Sequence, residues 1–385
     1  MSVKDFIEKK SRIYLSSPHM GGMEKDFVNE AFDTNWIAPL GPNVNNFEKE
    51  LSEYVGAKGG AALSSGTSAI HMALKAVGVK NGDLVFCSSL TFSASCNPII
   101  YEKAIPVFID SEKESWNMCP KALEKAFIWA EEEKKLPKAV IVVHLYGQPA
   151  NMDKILEVCN KYNVPIIEDA AESLGATYKN KQTGTFGEYG IFSFNGNKII
   201  TTSGGGMLVS DNLERLEKVR FWSTQARENE RHYEHKELGY NYRMSNIAAG
   251  IGRGQLRVLE ERIEKKKWIY DYYKNAFKDI KEIQMQPICD DRKSNYWLSC
   301  MTLNEKSKVK PLDIIIALEK ENIEARNIWK PMHMQPYYKD FKFFKLGEKS
   351  VSEEIFENGL CLPSDSKNTE EDMKRVVKII RELFE

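Results

Sequence analysis

The sequence lacks the cysteine and histidine patterns of disulfide-stabilised and metal-binding proteins. Its seven cysteines are an odd number scattered from Cys87 to Cys361 without a C-x-x-C pair, which argues against a disulfide framework or a zinc site. The six histidines form no H-E-x-x-H or similar group, so metal catalysis has no support. We expect the cysteines to be small buried hydrophobic residues, and we expect no metal.

Neither charge of one sign nor a long apolar run is present. The 54 lysines and arginines nearly balance the 55 aspartates and glutamates, so no overall field favours nucleic acid or an anionic membrane. The opening MSVKDFIEKKSRIYL lacks the apolar core of a secretory signal, and no later run is long enough to span a membrane. We therefore expect a cytoplasmic protein that binds neither nucleic acid nor membrane.

What the chain does contain is an alternation of short apolar strands and helical segments. Four runs have the nearly continuous, β-branched character of strands buried on both faces: 84–89, 105–110, 139–144 and 164–169. Helical patterns at 120–135 and 152–162 lie between them. This alternation predicts an α/β fold with a mainly parallel sheet, which collects ligands at the carboxyl ends of its strands.

The later part of the chain predicts a second, smaller α/β unit. The polar and aromatic stretch 212–245 has little apolar periodicity and indicates a long functional loop region or a partner contact. One long helix is predicted from about Ser245 to Phe277, followed by short strands and helices. We therefore divide the chain into a large domain, 1–245, and a linking helix with a small C-terminal domain, 246–385.

A single lysine, Lys198, lies on a predicted turn in SFNGNKIITTSGGGM. No helix separates the apolar runs 189–195 and 205–211 on either side of it, so they predict antiparallel strands. A lysine so placed is either a solvated cation, which is far commoner, or a desolvated amine that condenses with a carbonyl compound. The glycines 204–206 would let backbone pass close to a ligand, such as a cofactor or a sugar.

The segment SSGTSA, 64–69, predicts a strand-to-helix turn with the features of an anion site. Gly66 permits close approach, and Thr67 and Ser68 supply hydroxyl groups. The start of the helix adds free N–H groups and the positive end of its dipole. Ser193 is a candidate for a further hydroxyl. The alternatives are an ordinary helix N-cap and an ordinary strand serine.

Acidic and aromatic residues follow two other predicted strands. Asp169 and Glu172 come at and after the end of the run 164–169, where an α/β sheet places ligand contacts. Strand alternation directs only one of Glu168 and Asp169 into the crevice, and Asp169 suits a contact to a heteroaromatic nitrogen. A metal pair and a solvated helix start are the alternatives. Phe92 follows another strand and either stacks on a flat ring or packs in the core.

One cofactor requires all four kinds of group described above: an amine, a carboxylate, an aromatic ring and a phosphate-binding turn. Pyridoxal phosphate presents an aldehyde, a ring nitrogen, a flat face and a phosphate. No G-x-G-x-x-G follows the early strands, which disfavours a dinucleotide-binding protein. The residues therefore predict a pyridoxal phosphate enzyme.

Seven motifs carry a resemblance to a known family. In chain order they are SSGTSA, LTFSAS, HLYGQPANM, IEDAAESLGA, GTFGEYGIFSFNGNKIITTSGGGM, QARENERHYEH and GYNYRMSN. They resemble the DegT/DnrJ/EryC1/StrS aminotransferases, the nucleotide-sugar branch of the fold-type I pyridoxal phosphate enzymes. Four further motifs look most like those of the UDP-4-keto-6-deoxy-GlcNAc 4-aminotransferases of bacillosamine synthesis: SPHMGG, NWIAPLG, STQARENERHYEH and WKPMHMQPYY. Those aminotransferases are enzymes of glycan biosynthesis and protein glycosylation.

The resemblance implies roles for particular residues. Lys198 would be the lysine that bonds to the cofactor, and Asp169 the partner of its ring nitrogen. Other cofactor contacts are implied for Thr67, Ser68, Ser193, Phe92, Glu172 and, from a neighbouring subunit, Asn241. The last contact makes a homodimer part of the active site. Many relatives have Gln or His where this chain has Glu172, so that contact departs from the family pattern.

The implied reaction is transamination of UDP-2-acetamido-4-keto-2,6-dideoxyglucose with L-glutamate, giving UDP-2-acetamido-4-amino-2,4,6-trideoxyglucose and 2-oxoglutarate. Candidates for substrate contacts are Arg243, His19, His333 and Trp329. Their alternatives are an ion pair for Arg243 and capping or packing for the others.

Other functions are open. A 3- or 4-keto sugar linked to dTDP or GDP is the alternative substrate. A sugar dehydrase of the same fold has histidine in place of the lysine and is disfavoured. A non-catalytic sugar-nucleotide-binding regulator is the alternative of another class, and it would be expected to lack Lys198 or Asp169.

Overall fold

An eight-stranded, mostly parallel sheet is the centre of the computed structural model, which describes residues 11–385. With strands numbered in chain order, the sheet runs β1 (Gly59–Leu63), β9 (Gly206–Ser210), β8 (Tyr189–Ser193), β5 (Ile166–Asp169), β4 (Ala139–Val143), β2 (Leu84–Ser88), β3 (Ile105–Ile109) and β14 (Phe343–Phe344). β9 is antiparallel to β1 and β8, and the other neighbours are parallel. The predicted α/β fold and the antiparallel pair beside Lys198 are confirmed.

Helices cover both faces of this sheet. The α-helices of the described chain are α1 (Glu24–Asp33), α2 (Pro42–Val55), α3 (Gly66–Ala76), α4 (Asn97–Tyr101), α5 (Pro120–Glu132), α6 (Met152–Lys161), α7 (Leu213–Ser223), α8 (Asn246–Leu256), α9 (Leu259–Ala276), α10 (Pro311–Lys320), α11 (Val351–Asn358) and α12 (Glu370–Glu382). In β4, Val140 and Val142 face a core shared with α5 and α6, while Ala139 and Ile141 face a core shared with α3 and α7. This explains why the sequence of the strand is apolar throughout.

Two smaller sheets complete the structure. An antiparallel sheet runs β10 (Ile283–Met285), β12 (Ser299–Leu303), β15 (Gly359–Leu362) and β13 (Arg326–Asn327), and a three-stranded sheet runs β11 (Arg292–Lys293), β6 (Thr177–Tyr178) and β7 (Lys181–Gln182). Residues of α9, α10 and α12 pack with the first of these sheets in a separate core.

Two predictions about the later chain are wrong in detail. The long helix from Ser245 to Phe277 is two helices, α8 and α9. They separate because Val258 leaves the helical conformation, with φ −109° and ψ 6°, where it packs closely on Gly21. The stretch 212–245 is not all loop, since it begins with α7. That helix buries few residues, Leu216 and Val219 among them, so its periodicity is weak.

The division at residue 245 remains a prediction, and two segments reach across it. Strand β14, from the later part of the chain, forms the edge of the large sheet beside β3. Ile13, from the beginning of the described chain, forms a parallel bridge with Ile323 and lies in the core of the small sheet. Segments from both sides of residue 245 therefore cross the predicted boundary.

Candidate active site

Lys198 lies on a tight turn after β8, where it is largely withdrawn from water. The turn is held by hydrogen bonds from Lys198 N to Asn195 O and from Phe194 N to Gly205 O, at 3.0 and 2.9 Å. The side chain is 12% exposed and its Nζ lies 3.8 Å from Glu172 Oε1. Burial lowers the pKa of Lys198, and the nearby acids Glu172 and Asp169 oppose that shift. The amine is thus desolvated, which is the rarer of the two predicted environments.

Asp169 ends β5 with its carboxylate fixed by hydrogen bonds. Ser95 Oγ donates to Asp169 Oδ2 at 2.6 Å, and the amide of Ala171 donates to Oδ1 at 3.2 Å. Ser95 Oγ lies 2.6 Å from Thr91 Oγ1, and because its own proton goes to Asp169, Thr91 donates to it. These bonds fix the position of the carboxyl group at the end of the strand.

The neighbouring acid, Glu168, faces away and serves the fold. Its oxygens accept hydrogen bonds from the amides of Gly184, Phe186 and Gly187 and from His144 Nε2, at 2.5 to 2.9 Å. His144 Nδ1 accepts from the amide of Ala150, so His144 carries its proton on Nε2. Strand alternation therefore separates the two acids as predicted.

Glu172 lies between Lys198 and the turn after β4. Its Oε2 accepts a 2.6 Å hydrogen bond from the amide of Tyr146, whose φ of 53° is unusual for a residue other than glycine. Burial raises the pKa of Glu172 to about 7, against the opposing effects of Lys198 and the Tyr146 amide. Glu172 is thus not a solvated helix start.

The start of α3 meets the end of β8, which brings the predicted phosphate residues together. Ser65 is the N-cap, and its Oγ accepts from the amide of Ser68 at 3.0 Å. The Ser68 hydroxyl bonds the Ser65 backbone in return, so an ordinary cap is present here. The first amides of a helix still lack intrahelical partners. A side chain at Gly66 would come within 3.0 Å of Ser193 Cβ, which places Ser193 against the Gly66–Thr67 turn.

A row of aromatic rings borders the lysine. Phe92 is 55% exposed and lies 5.5 Å, centre to centre, from Trp329, which in turn is 5.0 Å from Tyr146 and 6.2 Å from Trp297. Lys198 Nζ is 4.1 Å from the centre of the Trp297 ring. Phe92 therefore has a free face for a flat ligand, and Trp329 lies in the same group.

The sequence did not indicate Tyr146 and Trp297 as site residues. Each lies in a segment that was noted, HLYGQPANM and NYWLSCMTL, but nothing local connects it to Lys198. Trp297 is held by a 2.8 Å hydrogen bond from its Nε1 to Asn197 O, a contact that only the folded chain provides.

Other predicted substrate residues already have protein partners. Arg243 Nη1 lies 2.7 Å from Glu48 Oε1 in a buried ion pair, which is the alternative predicted for it, although not at the surface. His333 has Ser89 Oγ at 2.6 Å from Nδ1 and Glu353 Oε1 at 2.9 Å from Nε2. Nη1 of Arg243 and both ring nitrogens of His333 are thus bonded within the protein.

His19 and Asn241 lie nearer the surface. His19 Nδ1 lies 2.9 Å from Ser366 Oγ, and its side chain is partly buried. Asn241 is exposed and forms an isolated antiparallel bridge with Thr224. Its exposure leaves it open to contact from another molecule.

Over residues 11–385, no three His, Cys, Asp or Glu side chains are grouped so as to hold a metal ion. In the same part of the chain, no helix combines the length and the apolar character needed to cross a membrane.

Comparison with known proteins decides the family. Residues 18–381 match the profile of the DegT/DnrJ/EryC1/StrS aminotransferase family. The chain belongs to this family. Relatives include the proposed pyridoxal phosphate-dependent aminotransferase EpsN of Bacillus subtilis, 55% identical over 97% of this chain and 96% of that protein. The GDP-perosamine synthase of Caulobacter vibrioides is 35% identical over 97% and 98% of the two chains.

Further relatives and solved structures agree. The UDP-4-amino-4,6-dideoxy-N-acetyl-beta-L-altrosamine transaminase of Campylobacter jejuni is 32% identical over 90% of each chain. A family aminotransferase from Brucella abortus has a TM-score of 0.86 at 28% identity, covering 94% of this chain and 95% of that one. The pyridoxal phosphate form of the proposed sugar aminotransferase Spr1654 of Streptococcus pneumoniae has a TM-score of 0.89 at 25% identity, covering 97% and 98%.

The family member described here is a pyridoxal phosphate-dependent sugar aminotransferase, and its residues fit the cofactor. The buried amine of Lys198, the anchored carboxylate of Asp169, the open face of Phe92 and the α3 start beside Ser193 offer one group for each part of it. Pyridoxal phosphate supplies an aldehyde and a ring that stabilises negative charge on carbon. With the cofactor bound, Lys198 would supply an amine at Nζ, Asp169 a carboxyl group, and the aromatic border would limit the access of water.

Proposed function

We propose that this enzyme transfers an amino group from L-glutamate to C4 of UDP-2-acetamido-4-keto-2,6-dideoxyglucose in the cytoplasm. The products are UDP-2-acetamido-4-amino-2,4,6-trideoxyglucose and 2-oxoglutarate. The observation that carries the transaminase part is the desolvated Lys198 amine, 3.8 Å from Glu172 Oε1 and against Trp297. A solvated surface lysine would remain protonated near pH 7 and could not act as a base.

Sequence resemblance supports the choice of a UDP-linked sugar. The motifs SPHMGG, NWIAPLG and WKPMHMQPYY resemble those of enzymes that act on the UDP-linked 4-keto sugar of bacillosamine synthesis, so the product is a precursor for glycan biosynthesis and protein glycosylation. The Campylobacter jejuni relative is named for a UDP-linked N-acetyl amino sugar. The Caulobacter vibrioides relative, at 35% identity, is named for a GDP-linked sugar, and it favours a GDP-linked 4-keto sugar as the second candidate.

The proposed enzyme is a homodimer whose sites are shared between subunits. Asn241 supports this arrangement because it is exposed at the end of the polar stretch after α7, where a second copy can reach it. In the proposal, Asn241 of each subunit contacts the cofactor phosphate of the other. The other cofactor-site residues act within one subunit: Lys198, Asp169, Glu172, Phe92, Thr67, Ser68 and Ser193. Trp329 and His19 contact the sugar nucleotide.

The first experiment tests the lysine. Purified enzyme with bound cofactor is expected to be yellow, and borohydride is expected to remove the colour and fix the cofactor to Lys198, as peptide mass spectrometry will show. Lys198→Ala is expected to be colourless and inactive. A Lys198→Ala enzyme that still converts a keto sugar nucleotide with glutamate would disprove the mechanism.

The second measurement concerns the substrate. UDP-, dTDP- and GDP-linked 4-keto-6-deoxy sugars are supplied separately with L-glutamate, and 2-oxoglutarate is followed. We expect the highest kcat/KM with the UDP-linked N-acetyl sugar. A higher value with the GDP-linked sugar would select the second candidate and leave the transaminase assignment intact.

A further inference from the structure

The side chain of Lys266, on α9, is a buried amine that the proposed reaction does not use. The residue is 2% exposed. Its Nζ donates to the backbone oxygens of Trp297 and Ser364, at 3.0 and 2.8 Å. Burial lowers the pKa of Lys266 to about 8, an effect that Asp365 opposes and Arg262 strengthens. The group therefore remains mainly cationic near pH 7.

Packing alone does not explain a charge at this position. Removing an amine from water is costly, and a methionine would fill a similar space without that cost. The two carbonyl oxygens, however, lie inside the protein, where an oxygen without a donor is destabilising. The Lys266 amine therefore fixes the chain at Trp297 and Ser364, which lie 31 and 98 residues away from it in the sequence.

Each polar group of Trp297 has a partner of its own. Its oxygen accepts from Lys266, its amide donates to Asn295 Oδ1 at 3.0 Å, and its indole Nε1 donates to Asn197 O at 2.8 Å. Asn295 is itself fixed, because its Nδ2 donates to two backbone oxygens of the segment 172–174, at 2.8 and 2.9 Å. The backbone and the ring of Trp297 are thus both held in place.

The ring held by these bonds is the surface on which Lys198 lies. Lys198 Nζ is 4.1 Å from the centre of the Trp297 ring, and Trp297 is 1% exposed. A charged amine at this distance is attracted to the aromatic face, and the ring screens it from water on that side. Asn197, whose oxygen accepts from the ring, directly precedes Lys198. The ring therefore contacts both the backbone of the turn and the side chain of the lysine.

We propose that Lys266 is a positioning residue, which acts through Trp297 to hold the Lys198 amine where it meets the cofactor. Lys266 fixes the backbone of Trp297, and the fixed indole ring limits the directions that the Lys198 side chain can take. No bond is made or broken at Lys266 during the reaction. This inference rests on the proposed function, in which Lys198 bonds to the cofactor.

The test uses two forms of the cofactor that differ in one group. Pyridoxal phosphate has the aldehyde that bonds to Lys198, whereas pyridoxamine phosphate has an amine there and depends on contacts to its ring and phosphate alone. We expect Lys266→Met apoenzyme at saturating pyridoxal phosphate to develop the colour of the bound cofactor about 10-fold more slowly, since a displacement of about 1 Å can cost about 10²-fold. Its affinity for pyridoxamine phosphate, measured by calorimetry, should equal that of the wild type.

Two control substitutions identify the route of the effect. Lys267→Met changes the next residue of α9, which is 54% exposed and pairs with Asp271, and it should leave both measurements unchanged. Trp297→Ala should slow the development of colour at least as much as Lys266→Met does. Adding Lys266→Met to Trp297→Ala should slow it little further, because both substitutions act through one ring.

A merely structural role for Lys266 gives different results. Lys266→Met would then lower the melting temperature and leave the rate of colour development at the wild-type value, or it would weaken the binding of both cofactor forms equally. Either result overturns the proposal. If Lys266→Met does not fold, Trp297→Ala decides, because a wild-type rate of colour development without the ring overturns the proposal as well.

The two proposals fail in different ways. If borohydride does not fix the cofactor to Lys198 in the wild type, the proposed function is wrong. If Lys198 is labelled but the Lys266 and Trp297 variants take up pyridoxal phosphate at the wild-type rate, the transaminase assignment stands and only the positioning role is wrong.

Discussion

The hydroxyl groups of Thr91 and Ser95 are hydrogen-bonded to each other, and that of Ser95 also binds the carboxyl group of Asp169. Removing the Ser95 hydroxyl tests how far cofactor binding by Asp169 depends on this pair. Ser95→Ala deletes the 2.6 Å bond to Oδ2, and a hydrogen bond to a charged group is worth about 1.5–3 kcal/mol. We expect the affinity for pyridoxal phosphate to fall by about 10-fold or more. Titration of the apoenzyme with the cofactor, followed by absorbance, measures this change.

Ser95→Thr is the matched control because it keeps the hydroxyl group. It is expected to bind the cofactor more tightly than Ser95→Ala does. If Ser95→Ala binds with wild-type affinity while its melting temperature is unchanged, the hydroxyl pair does not orient Asp169 for the cofactor.

At the scale of elements, the contact between β9 and the start of α3 depends on one glycine of the run 204–206. A Cβ at Gly206 would lie 2.4 Å from the backbone oxygen of Ser65, whereas a Cβ at Gly204 would meet nothing within 4 Å. We expect Gly206→Ala to cost about 1–3 kcal/mol of stability, as overpacking does, and to weaken cofactor binding by displacing α3. Gly204→Ala should leave both unchanged. Urea unfolding and cofactor titration measure the two effects, and equal behaviour of the variants would contradict the prediction.

The surroundings of Gly205 differ from those expected for the glycine run 204–206. The run 204–206 was expected to let backbone pass close to cofactor and sugar. At Gly205, however, a Cβ would lie 2.4 Å from Thr202 Oγ1 and 2.6 Å from Met244 Cε. The space beside Gly205 is thus filled by the protein, and Gly205→Val is expected to disturb the packing of the fold as well as activity.

The patterns of apolar and polar residues within single segments predicted the buried strands and the site residues at the ends of those strands. The strands buried on both faces are apolar throughout, and Asp169 and Lys198 lie at strand ends where the sheet collects ligands. The break between α8 and α9 was not predicted, and the residue at the break, Val258, packs against Gly21 far away in the sequence.

Contacts between distant segments account for the other differences. The sequence leaves open whether Arg243 contacts substrate or forms an ion pair, and the fold pairs it with Glu48; His333 similarly meets Glu353. Trp297 reaches Lys198 because the segment before β12 packs on the turn after β8, where Trp297 Nε1 donates to Asn197 O. Sequence patterns within one element contain no information about such pairings.

At the scale of the whole molecule, the shared site of the proposed dimer can be tested by mixing variants. Lys198→Ala and Asn241→Ala are each expected to have little activity. If Asn241 serves the other subunit, a mixed dimer has one site with both residues intact, so mixing should restore up to about a quarter of wild-type activity. If Asn241 acted within its own subunit, no site in the mixture would be complete. Activity after refolding the mixture, compared with each variant refolded alone, distinguishes the two.

The contact between the first described residues and the segment that follows α10 also has a consequence for how the protein is made. Arg12 donates to Asn322, 310 residues away, beside the bridge between Ile13 and Ile323. At about 5–20 residues per second, a ribosome needs about 15–60 s to deliver the second segment after the first. The apolar Ile13 therefore stays uncovered on the nascent chain while the large sheet is synthesised. The segment that leaves the ribosome early is among the last to reach its final position.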